Sequence, residues 1–105
     1  MPDILDEISD KIFLDKLLKE FKDSIRGYNV KLKEYRKQEK YVEMGKIAHD
    51  IKGIAGVFGF DRATEMASQF LDQRDAGNKD EMIKICLELE QYLEREVLEM
   101  KPEEK

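Results

Sequence analysis

Proline is nearly absent from this chain of 105 residues. The two that occur are Pro2 and Pro102, so no helix-breaking ring interrupts the sequence between them. A single cysteine excludes an internal disulfide. One histidine and one cysteine are too few to supply a zinc site of the usual ligand set, so no metal or cofactor is expected on the chain. No Ser-His-Asp or Cys-His arrangement is suggested, which argues against a self-contained hydrolase. No apolar run approaches the ~20 residues needed to span a bilayer. The start, Met1 to Glu7, is acidic and lacks the basic-then-apolar order of a signal peptide. A soluble, cytoplasmic protein is therefore expected, and the Met1 start and charged tail lean toward a stand-alone one. Net charge is −5, whereas nonspecific nucleic-acid binding needs a basic face. No strand pattern and no internal repeat is present.

Helical periodicity is present throughout. Charged and hydrophobic residues each make up 41 % of the chain, a composition that reads as all-helical. Residues 2–8 are expected to form a short extra helix, with Ser9 capping a long one from Asp10 to about Gln38. In the long helix Leu14, Leu18, Phe21, Ile25, Tyr28, Leu32 and Tyr35 repeat at 3–4 spacing, and Phe13 and Leu17 widen the stripe. A polar join near Lys37 to Lys40 leads to a helix ending at about Val57, with Gly59 as its left-handed closing residue. Asp61 caps a third helix with a stripe of Ala63, Met66, Ala67, Phe70 and Leu71. Gly77 ends that helix. Asn78 caps a fourth, in which Met82, Cys86, Leu89, Leu93 and Val97 form the stripe. Cys86 then reads as a small buried hydrophobe. The fold class is all-α, an antiparallel four-helix bundle with a short extra N-terminal helix. The bundle is assigned to residues 1–100, and residues 101–105 to a charged, frayed tail.

The helix around His49 carries the chemistry. At ~100° per residue, Met44, Ile47, Ala48, Ile51, Ile54, Ala55 and Phe58 share a face, which puts His49 on the outside. Gly45, Gly53 and Gly56 lie at i−4, i+4 and i+7 from it, on its own face. A glycine inside a helix costs ~0.5–1 kcal/mol relative to alanine, so three on a solvent-facing stripe are an expense without a packing return. Lys46 and Lys52 flank the histidine. The pattern describes a nucleophile on a bare shelf made for another surface, with Val42 and Val57 supplying apolar contact. From Lys31 to Lys52 there are seven basic and four acidic residues, whereas Glu88 to Lys105 holds seven acidic and three basic. The histidine region is thus locally basic and suited to an acidic partner pocket.

Ala48, His49, Lys52, Gly53, Ala55 and Gly59 resemble the signature of the histidine-containing phosphotransfer (HPt) domain, roughly Ala-His-x-Leu-Lys-Gly-Ser/Ala-x-x-x-x-Gly. The resemblance covers nearly the whole chain in helix order. Ile51 replaces the usual leucine, Ile54 a common serine and Phe60 a common alanine, and none of these removes chemistry. What the resemblance implies is a relay in a two-component phosphorelay. His49 accepts a phosphoryl group from a receiver-domain aspartyl phosphate and passes it to another receiver aspartate. Lys52, and less directly Lys46, would stabilise phosphoryl oxygens. The implied partners are response-regulator receiver domains and a hybrid sensor histidine kinase, with Mg2+ held by the receiver. The chain would be a carrier without kinase activity of its own. The family often places a polar side chain from the next helix near the histidine, and Gln69 and Gln73 are candidates. A monomer is expected. The alternative is a helical docking module that binds a receiver or kinase without carrying phosphate. A third reading is a plain bundle that dimerises through its long helix.

Overall fold

A computed structural model describes the backbone of residues 4–98 and the side chains of residues 11–98. The chain forms α1 (Ile4–Lys37), α2 (Tyr41–Val57), α3 (Asp61–Ala76) and α4 (Lys79–Tyr92). The last helix continues as a π-helical segment, Leu93–Leu98. Four helices joined by short turns form the bundle, and no strand occurs among the described residues. None of these helices is long and apolar enough to cross a membrane.

The three turns close alike. In each, one residue adopts a left-handed backbone two positions before the next helix: Glu39 (φ 55°), Gly59 (φ 80°) and Gly77 (φ 72°). The following amide reaches back five residues. Lys40 N–H donates to Tyr35 O at 2.9 Å, Phe60 N–H to Ala55 O at 2.9 Å, and Asn78 N–H to Gln73 O at 3.0 Å. These bonds satisfy carbonyls that a helix end would leave orphaned. Glycine adopts this conformation without the Cβ clash that glutamate must bear at position 39.

Several expectations are corrected at helix ends. Ile4 to Ser9 belong to α1 itself, so the short extra helix is not separate and Ser9 is not a cap. No Gly or Pro lies between Ile4 and Gly27 to break the helix there. Pro2 falls outside the described residues, as does the tail from position 99. Phe60, not Asp61, occupies the cap position of α3. Asp61 opens the first turn, where its charge complements the helix dipole. Asn78 does cap α4, its Oδ1 accepting from Glu81 N–H at 3.3 Å. Leu89, Leu93 and Val97 are spaced by four, and each such step in an α-helix drifts by ~40°. The wider π winding takes up that drift and keeps all three buried.

The core is built from the predicted stripes except at the start of α1, where Phe13 and Leu14 stand exposed because no described element packs against them. Phe21, Ile25 and Leu32 of α1 meet Met44, Ala48, Ile51 and Ala55 of α2, Ala63, Ala67 and Phe70 of α3, and Met82, Cys86 and Leu89 of α4. Phe21 stacks on Phe58 and Phe60 at the α2–α3 turn, with ring centroids 4.3 and 5.2 Å apart. One polar cluster lies at the edge of the core between α1 and α4. Buried Glu90 accepts from Arg36 Nε at 2.6 Å and Nη2 at 3.1 Å, and the Cys86 thiol donates to its Oε2 at 3.2 Å. Burial, followed by the hydrogen bond to Glu90, pushes the Cys86 thiol well above its ordinary pKa, so the sulfur stays protonated and inert. The bidentate pair ties α1 to α4. Arg36→Met leaves the Glu90 carboxylate without its cation. We expect a loss of about 2 kcal/mol in urea unfolding, below the ~3–5 kcal/mol of a fully buried pair because Arg36 reaches the surface. An unchanged midpoint would show that the pair does not brace the two helices.

Candidate functional site

α2 turns its apolar face inward through Met44, Ile47, Ala48, Ile51 and Ala55, and this orients His49 outward. The imidazole side chain is 79 % exposed. Its Nδ1 lies 3.9 Å from Asp50 Oδ1, too far for a hydrogen bond, and His49 makes none among the described residues. The ring is therefore free to meet a partner. Gln69 and Gln73 of α3 are not hydrogen-bonded to it.

The glycines around the histidine have three different surroundings. Gly53 is exposed, and a Cβ placed there would meet nothing within 4 Å. A Cβ at Gly56 would make ordinary contact with Thr64 Oγ1 at 3.6 Å. Gly45 departs from the expectation of an open stripe. It is buried, because the Arg74 side chain from α3 lies across it. A Cβ at Gly45 would stand 2.8 Å from Arg74 Nη1 and 3.0 Å from its Cδ. Gly45 is thus a seat for an arginine and not open docking surface. Two bonds from Arg74 to Asp75 Oδ1, at 3.2 and 3.1 Å, hold the guanidinium.

That arrangement brings forward a cation the sequence reading missed. Arg74 sits over the position one helical turn before His49, on the histidine's own face. The only signal in the sequence was the glycine itself, and its partner lies 29 residues further along the chain. Lys46 and Lys52 are exposed three residues before and after His49, with the Asp50 carboxylate beside the ring and Asp75 paired to Arg74. Val42 and Val57 are 66 % and 80 % exposed, apolar side chains standing in water on the same helix. Gly59 takes its turn conformation as expected.

The site is thus a helical bundle that presents one exposed histidine with no hydrogen-bond partner among the described residues. The family model of the Hpt domain matches residues 16–97, and the chain belongs to that family. Hpt domains serve histidine phosphotransfer in two-component signalling, as carriers that interact with receiver domains and histidine kinases. Comparisons with curated proteins and with solved structures give no match.

Proposed function

We propose that His49 is the phosphoryl-accepting residue of a relay between receiver domains. The observation that carries this reading is a lone, outward, unbonded imidazole with open space at Gly53 one turn away. The nucleophile in this reading is the neutral imidazole ring. With the proton on Nδ1, the side nearer Asp50, the Nε2 lone pair attacks phosphorus in line. A P–N bond forms as the P–O bond to the receiver aspartate breaks, and the aspartate leaves as carboxylate. Transfer onward reverses these steps on a second receiver.

Phosphoryl transfer needs positioning and charge neutralisation more than covalent machinery. Lys52 is the first choice to meet the phosphoryl oxygens, with Lys46 and Arg74 at the N-terminal side. Mg2+ belongs to the receiver in this reading. Val42, Gly53, Gly56 and Val57 form the docking surface, and the basic surround favours an acidic pocket.

The test is transfer from labelled receivers. A receiver panel charged with radiolabelled acetyl phosphate and magnesium is mixed with the protein. The expected result is acid-labile, base-stable label on the chain. If receivers bind yet none passes label, the relay is wrong and the chain is a docking module.

A further inference from the structure

The Arg74 guanidinium is held at two edges. Its Cδ–Nη1 edge lies on the bare backbone of Gly45, where a Cβ would stand 3.0 and 2.8 Å from those two atoms. Its Nε–Nη2 edge is bonded to a single oxygen, Asp75 Oδ1, at 3.2 and 3.1 Å. Nη1 keeps its N–H groups without a hydrogen-bond partner among the described residues. Residues four apart on a helix carry Cβ atoms ~5–6 Å from each other, so this open edge lies about one turn from His49. Lys46 and Lys52 have no comparable placement, since neither makes a hydrogen bond or ion pair among the described residues.

Asp75 is out of place on charge alone. A carboxylate beside a cation that meets an acidic pocket subtracts from the attraction. We propose that Asp75 is a positioning residue for phosphoryl transfer, which fixes the plane of Arg74 against Gly45 and leaves Nη1 as the donating edge. A free arginine side chain loses rotamer freedom when it is ordered on a ligand. Asp75 and Gly45 impose that order before a receiver arrives. The proposal rests on the relay reading of His49 and adds no covalent step to it. The P–N bond forms and the P–O bond breaks as described above, no proton leaves the guanidinium, and Nη1 donates to a phosphoryl oxygen. If charge alone mattered, removing Asp75 would speed transfer from an acidic receiver. Positioning requires that it slow transfer, and only while Arg74 is present.

Rapid-quench transfer from labelled receivers, at saturating receiver, reads the sign. Asp75→Ala should transfer about threefold to fivefold more slowly than the wild type, the upper range for an exposed ion pair. Asp75→Asn, which keeps an acceptor oxygen without the charge, should fall between. Arg74→Ala should be slower by at least about tenfold. Adding Asp75→Ala to Arg74→Ala should slow it no further. Gly45→Ala should slow transfer about as much as Asp75→Ala, because its Cβ displaces the guanidinium. It should keep the bundle's circular dichroism, because the displaced atoms belong to a flexible side chain. An Asp75→Ala variant as fast as the wild type or faster overturns the proposal. Equal slowing by Asp75→Ala with Arg74 absent does so too. Both outcomes leave the relay standing, whereas a wild type that takes no label overturns the relay and this role with it.

Discussion

His49→Gln is expected to take up no label from any receiver that labels the wild type. Glutamine has no lone pair able to form the P–N bond. No second imidazole can substitute, because His49 is the only histidine in the chain. The change should be silent in the fold. The side chain is largely in water and makes no hydrogen bond, so stability should move by less than ~0.5 kcal/mol. Receiver binding, measured by calorimetry, should stay within a few-fold of wild type because the docking surface is untouched. The combination separates chemistry from recognition. Label on the glutamine variant would assign the acceptor elsewhere. Loss of binding together with loss of label would mean that His49 is a docking residue first.

Gly53→Gln should raise stability and depress transfer. Nothing stands within 4 Å of the added Cβ, and the position is mid-helix and exposed. Removing a helix-interior glycine is worth ~0.5–1 kcal/mol, which for a domain of this size is a rise of several degrees in Tm. The added side chain then occupies the space one turn from the imidazole. The reacting atoms must come within ~3–3.5 Å, and a displacement of 1 Å can cost ~100-fold. We expect transfer slowed about a hundredfold or more in rapid-quench kinetics, with Gly53→Ala falling between. A glutamine variant that is more stable and still transfers at the wild-type rate would remove the steric role of the shelf.

The inward face of α2 was legible because seven apolar residues at 3–4 spacing admit only one core side, and the outward histidine follows from it. Gly59, Gly77 and Asn78 were legible because their turn and cap chemistry is local. Other features were not, each for a physical reason. The α1–α2 turn is closed by Glu39, a residue that gives no sign of a left-handed backbone. Gly45 looked bare because one helix's wheel contains no information about what another helix lays across it; Arg74 comes from α3. The stripe of α1 shows which side is apolar but not how far the bundle extends, so Phe13 and Leu14 looked like core and stand in water. Ser9 resembled a cap and was outvoted by good helix formers on both sides.

The likeness of the three turns bears on how the chain reaches its structure. Each turn occupies two or three residues and is closed by a bond that spans five. Neighbouring helices therefore meet over short stretches of chain, and little loop entropy opposes α2 on α3 or α3 on α4. Such local topologies belong to the fast-folding end of the range. The contact that cannot be made locally is the closure of α1 on α4, where Arg36 and Glu90 are 54 positions apart. The turns thus tie each helix to its neighbour in sequence, and the Arg36–Glu90 pair joins the first helix to the last.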